Sequence, residues 1–167
     1  MARRAKRNYV NNRDFLDALI QYKKDCAEAE EAGDELPRVP DYIGTCIYQI
    51  ATRLATKPNF SGYTYKEDMI SDGIENCLLY IRNFNPEKSQ NPFAYFTQII
   101  WYAFLRRIHK EKRQMYIRFK SSQSMLATGG TYTGEDVNLY LNTSADYMNS
   151  FVQDYEDKLA RDKEKKK

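Results

Sequence analysis

Histidine and tryptophan occur once each in this 167-residue chain, and cysteine only three times. Each scarcity removes a class of function. A single histidine, His109, cannot supply the His/Cys ligand spacing of a zinc site. No serine, cysteine or carboxylate is placed to form a catalytic dyad with it. Cys26, Cys46 and Cys77 are odd in number and scattered, which argues against a disulfide framework and for a reducing compartment. No glycine-rich run suits the cradling of phosphates. No apolar run approaches the length of a membrane span, and the basic start MARRAKRNYV lacks the apolar centre of a signal peptide. Net charge is only +3, from 26 Lys/Arg against 23 Asp/Glu, so the total selects no partner. The expectation is an intracellular soluble protein with no membrane partner, no metal and no cofactor.

What is present is apolar and aromatic. The composition is 42% hydrophobic and 14% aromatic, with 14 tyrosines, and the length allows one modest domain with tails. Tyrosine joins a large apolar ring to a polar tip, so it serves half-exposed binding surfaces as well as cores.

Periodicity predicts an all-α fold, a compact helical bundle with a partly mobile C-terminal extension; no strand pattern or internal repeat is visible. A basic arm, 1–8, carries Arg3, Arg4, Lys6 and Arg7. A first helix is predicted over 12–32, capped by Asn12, with Phe15, Leu16, Leu19, Ile20 and Tyr22 as its stripe and Gly33 as its stop. A second covers 41–56, with Ile43, Ile47, Ile50, Ala51 and Leu54 inward. KPNFSGY reads as a loop between breakers Pro58 and Gly62. A third helix covers 66–83, burying Met69, Ile70, Ile74, Cys77, Leu78 and Ile81, and Gly73 within it suggests close approach of a neighbouring helix. Asn91-Pro92 is a strong start for a fourth helix, reaching Arg113 or Phe119. Residues 9–120 form the predicted domain, 121–144 a mobile linker, and 145–167 a last helix with a Lys-rich tail.

Two helices carry chemistry. On the third, Asp68, Ser71, Asp72, Glu75 and Leu79 share one face. That spacing suits a solvated surface, a docking face for a basic or polar groove, or a carboxylate set for metal-dependent nuclease chemistry using Asp68, Asp72 and Glu75. The last is disfavoured, because metal ligands converge in a cleft and these side chains splay along a convex face. On the fourth helix, Phe93, Phe96, Ile100, Ala103, Phe104 and Ile108 take the core side. A second face carries Tyr95, Gln98, Ile99, Tyr102, Arg106, His109, Lys110 and Arg113. Residues 91–120 hold seven Lys or Arg (positions 106, 107, 110, 112, 113, 118 and 120) against the single acid Glu111. Cations neutralise phosphates and rings stack on unpaired bases, so the stretch suits nucleic acid. It equally suits core aromatics followed by a solvated helix end, whose cations complement the helix dipole.

The stretch EDMISDGIENCLLYIRNFNPEKSQNPFAYFTQIIWYAFLRRIHKEKR, residues 67–113, resembles conserved region two of bacterial-type sigma factors. There, an acidic helix leads through a polar turn to F-x-x-[YW] and an Arg-rich helix. YVNN at 9–12, NFSGY at 59–63, MISDGIE and NPFAYFTQ are more closely similar to the late-transcription sigma factors of T-even-type tailed phages. The resemblance implies a non-enzymatic helical domain that binds the clamp helices of the large subunit of host RNA polymerase core through Asp68, Ser71, Asp72, Glu75, Leu78 and Leu79. It further implies recognition and melting of an AT-rich, −10-type promoter element in the infected bacterial cytoplasm. The matching DNA positions are Tyr95, Phe96, Gln98, Ile99, Trp101 and Tyr102, with Arg106, Arg107, Lys110 and Arg113 for the phosphates; His109, in the same basic stretch, joins the candidate DNA-binding residues. A non-initiating polymerase-binding regulator is the alternative. The phage family also implies a coactivator and the replication sliding clamp, which it binds through an apolar-acidic C-terminal end. This chain instead ends LARDKEKKK, and its apolar-acidic segment, Phe151–Glu156, is internal.

Overall fold

A computed structural model describes residues 9–127 and 135–165, with side chains described over 9–125 and 145–165. The basic arm at 1–8, the middle of the predicted linker at 128–134 and the last two lysines lie outside the described residues. The described chain is all-α. Its helices are α1 Asn12–Ala32, α2 Asp41–Ala55, α3 Pro58–Ser61, α4 Lys66–Tyr80, α5 Pro92–Ala127 and α6 Glu135–Glu164, with a 3₁₀ turn at Ile81–Asn83. The chain divides into two units, 1–107 and 108–167, the division falling inside α5.

In the first unit, local chemistry sets the helix ends. Asn11, one residue before the predicted cap, accepts from the Arg13 amide at 3.1 Å. Asn12 is used differently: its Oδ1 accepts from the Phe93 amide and its Nδ2 donates to the Gln90 carbonyl, fastening the start of α1 to the start of α5. Tyr9 adds to that junction, edge-on to Phe93 and under the Arg53 guanidinium, 4.3 Å from its ring centre. Gly33 ends α1 in the left-handed conformation, φ 74°, which only glycine adopts without cost. At the head of α5, the Asn91 side chain accepts from the Ala94 amide at 3.0 Å, and Pro92 gives up a hydrogen bond that the first turn does not need.

Packing then orders the helices. α2 lies against both α1 and α4 and presents Ile43, Ile47, Ile50, Ala51 and Leu54, all buried. Phe15 from α1 meets Phe96 from α5 at 5.4 Å, and Phe60 meets Phe104 at 5.1 Å. The predicted loop at 57–63 therefore contains a helical turn whose ring is core: Pro58 starts it and Phe60 is 1% exposed. Gly73 has the role its position suggests. A Cβ there would stand 3.0 Å from the Ile100 side chain and 3.1 Å from the Phe104 ring, so these α5 side chains pack directly on the α4 backbone at Gly73. Cys77 donates weakly to the Phe96 carbonyl in the same layer, and burial pushes its thiol up to about 12. All three cysteines are buried and unpaired.

The second unit is an antiparallel pair, the later part of α5 against α6. Tyr116 stacks on Tyr155 at 4.6 Å, Phe119 meets Phe151 edge-on at 5.5 Å, and Gln123 donates to Asn149 at 2.6 Å. Helix therefore continues through 121–127, where a mobile linker was expected, and α6 starts ten residues before the predicted 145. The polar sequence SSQS gives no periodic signal, but the aromatic residues just before it supply the packing that holds α5 beyond Arg113. Among the described residues no helix is long and apolar enough to cross a membrane.

Candidate functional surfaces on α4 and α5

The acidic face of α4 divides in two. Asp68, Ser71 and Glu75 are exposed, as are Leu78 and Leu79, the latter 69% exposed. Ser71, Ile74, Glu75, Leu78 and Leu79 line a shallow groove of about 500 Å³. This is a strip with an apolar floor and carboxylates along it. Leu78, predicted as part of the buried stripe, lies instead on this open strip, because Cys77 beside it takes the inward position.

Asp72 does not belong to the strip. Its two oxygens accept from Arg107 Nε at 2.6 Å and Arg107 Nη2 at 2.7 Å, a two-pronged ion pair with both side chains largely shielded. One turn on, Asn76 donates to the Asp72 carbonyl and accepts from Arg106 at 2.7 Å. The family resemblance implies a protein partner for Asp72 and phosphates for Arg106 and Arg107. The structure joins them across the α4–α5 contact, and Asn76, which carries no sequence signal of its own, completes the set. The signal was an Asp-x-x-x-Asn step on one helix and Arg-Arg on the next, visible only once the pairing of the helices is known.

The rings of α5 also separate. Phe96 is fully buried between Phe15 and Phe84, so the position that the resemblance matched to DNA is a core position here. Tyr95 is half-buried beside Phe84 and donates to the Tyr80 carbonyl at 3.1 Å; burial, and then the nearby Cys77, raise its hydroxyl above the ordinary tyrosine value. Trp101 is half-buried, edge-on to Phe60 at 4.8 Å. Gln98 and Tyr102 are exposed, with Ile99 partly so between them. Gln98, Tyr102 and Arg106 follow at helical spacing, making one open stripe.

His109, Lys110 and Arg113 belong to the second unit, where they line a groove with α6. The internal apolar-acidic segment is engaged rather than free: Val152 is buried, Tyr155 stacks on Tyr116, and Glu156 accepts from both Tyr116 and Lys120 at 2.9 Å. Among the described residues no group of three His, Cys, Asp or Glu side chains is arranged to hold a metal ion. No protein-family model matches the chain, and no curated protein matches it at a significant level of similarity.

Proposed function

We propose that the chain is a transcription initiation factor of sigma region-two type that acts with bacterial RNA polymerase core in a phage-infected cell. In this reading the open strip of α4, made of Asp68, Ser71, Glu75, Leu78 and Leu79, docks on the polymerase clamp helices. The open stripe of α5, centred on Gln98 and Tyr102, meets the AT-rich element as it opens. The observation that carries the reading is the presence of both surfaces on adjacent helices of one unit, on residues that match the sigma pattern in order. An exposed ring captures an unstacked base, and carboxylates flanking leucines suit a basic, partly apolar helical partner. Phosphodiester chemistry belongs to the polymerase.

The test is a transcription assay with the purified chain, bacterial core polymerase and supercoiled DNA bearing an AT-rich −10-type element or a scrambled control. Correctly started transcripts from the intact element alone are the expected result. Core binding without any transcript points to a non-initiating regulator, and magnesium-dependent DNA cleavage without polymerase points to a nuclease. Tyr102→Ala sharpens the test. It should spare core binding and slow promoter opening, because Tyr102 is 52% exposed and its loss leaves the core intact.

A further inference from the structure

The second unit contains an open groove that the proposed function does not use. It runs between the first turns of α5 beyond Arg107 and the C-terminal half of α6, with a volume of about 920 Å³. On α6 its lining follows a helical face: Phe151, Tyr155 and Leu159 lie along the floor, with Asp154, Lys158 and Asp162 beside them. On α5, Ile117 adds to the floor and Lys110, Lys112 and Arg113 form the rim. Ile117 and Leu159 are 48% and 43% exposed, a large aliphatic surface to leave in water.

We propose that this groove docks an acidic amphipathic helix of a partner protein. Two observations select that occupant. The lining carries four Lys or Arg against two Asp, so the rim is complementary to carboxylates. Phe151 and Tyr155 are already packed on Phe119 and Tyr116, and Ile117 and Leu159 neither stack on bases nor pair with them, so the floor fits leucine-like side chains better than nucleic acid. Two antiparallel helices cover each other on one side only, and a third laid in the groove completes a three-helix arrangement. The span from Phe151 to Asp162 is about 16 Å of helix, which accepts roughly three turns of ligand. The site is independent of the reading as a sigma factor.

Fluorescence anisotropy on the full chain tests it. The probes are a labelled helical peptide of about twelve residues with leucines on one face and glutamates flanking them, the same peptide with lysines for glutamates, and a mixed-sequence single-stranded oligonucleotide. The acidic peptide should bind at least about tenfold more tightly than the basic one, and Arg113→Glu with Lys158→Glu should reverse that order. Leu159→Asp should weaken the acidic peptide by about tenfold with the helical circular dichroism unchanged, since Leu159 is largely open to solvent. No binding of the acidic peptide at roughly 100 µM, or equal binding of both peptides, overturns the proposal. Oligonucleotide binding that disappears with the two charge reversals overturns it in favour of nucleic acid. Self-association in sedimentation that Leu159→Asp abolishes overturns it in favour of a second copy of the chain.

Discussion

The two units hold their helices by different means. Over the described residues of the first unit, 9–107, many of the contacts are between fully buried rings and aliphatic side chains, and Gly73 leaves room on α4 for the Ile100 and Phe104 side chains. Among the described residues of the second unit many of the contacts run along an open seam. Tyr116, Phe119, Phe151 and Tyr155 are each half-buried, and polar side chains bridge the two helices at Glu156 and Asn149. The first arrangement draws its stability from area removed from water. The second draws more on directional contacts that water competes for. A surface carried by the first unit is therefore fixed by its core, whereas the groove of the second depends on contacts near solvent.

The sharpest way to break this comparison is to remove one ring from each unit. Phe104→Ala should cost about 3–5 kcal/mol, because its ring is 0% exposed and Phe60, Ile100 and the Gly73 backbone cannot close the cavity. Phe119→Ala should cost about 1–2 kcal/mol, since its half-buried site already admits water. Chemical denaturation of both variants checks the difference. Equal losses would mean that the seam is as closed as the core.

A smaller effect separates structure from recognition within the first unit. Asp72→Ala leaves Arg107 without its two-pronged partner and should cost about 2 kcal/mol, between the values for exposed and buried pairs. Asp68→Lys with Glu75→Lys should change stability by less than about 0.5 kcal/mol, because both side chains are exposed. If α4 docks on polymerase, that second variant should lose at least about tenfold in core affinity, or about 1.4 kcal/mol. Thermal melting alongside a core-binding titration gives both quantities. Undiminished core affinity of the double reversal would remove the α4 strip from the proposed function.

These tests use residues that the sequence distinguished only in part. The helices of the first unit were legible because their apolar positions recur at three and four residues and because Gly33 and Asn91-Pro92 mark an end and a start. The α3 turn was not, since one phenylalanine between breakers has no period and only tertiary contact with Phe104 makes it core. The open faces of α4 and α5 were legible as faces. What each side chain does on them was not. Asp72 and Glu75 are equivalent in the sequence, and the fold pairs one with Arg107 while leaving the other in water. Phe96 and Tyr102 are both aromatic on one helix, but only the backbone phase against Phe15 makes the first a core ring and the second a surface one.

The smallest effect is read from the seam. Glu156 accepts from Lys120 and Tyr116, which hold its carboxyl below its ordinary value of 4.5. A carboxyl depressed in the folded state contributes stability that is complete above its unfolded value and is lost as pH falls through the folded one. The hydrogen bond to Glu156 raises Tyr116 above 10.0 and Lys120 above 10.5, so their contributions are complete below those values and lost as pH rises through the raised ones. The seam should therefore be insensitive to pH between about 5 and 10 and loosen on either side. Tyr116 stacks on Tyr155, so its ring protons carry a ring-current shift that reports the contact in a magnetic resonance titration. Those shifts should relax toward free-tyrosine values as pH falls from 4.5 through the lowered value of Glu156, and Glu156→Gln, which cannot titrate, should show no acid limb. An acid limb that survives in Glu156→Gln would assign the loosening to another carboxylate and remove the Glu156 bridge as the contact that closes this seam.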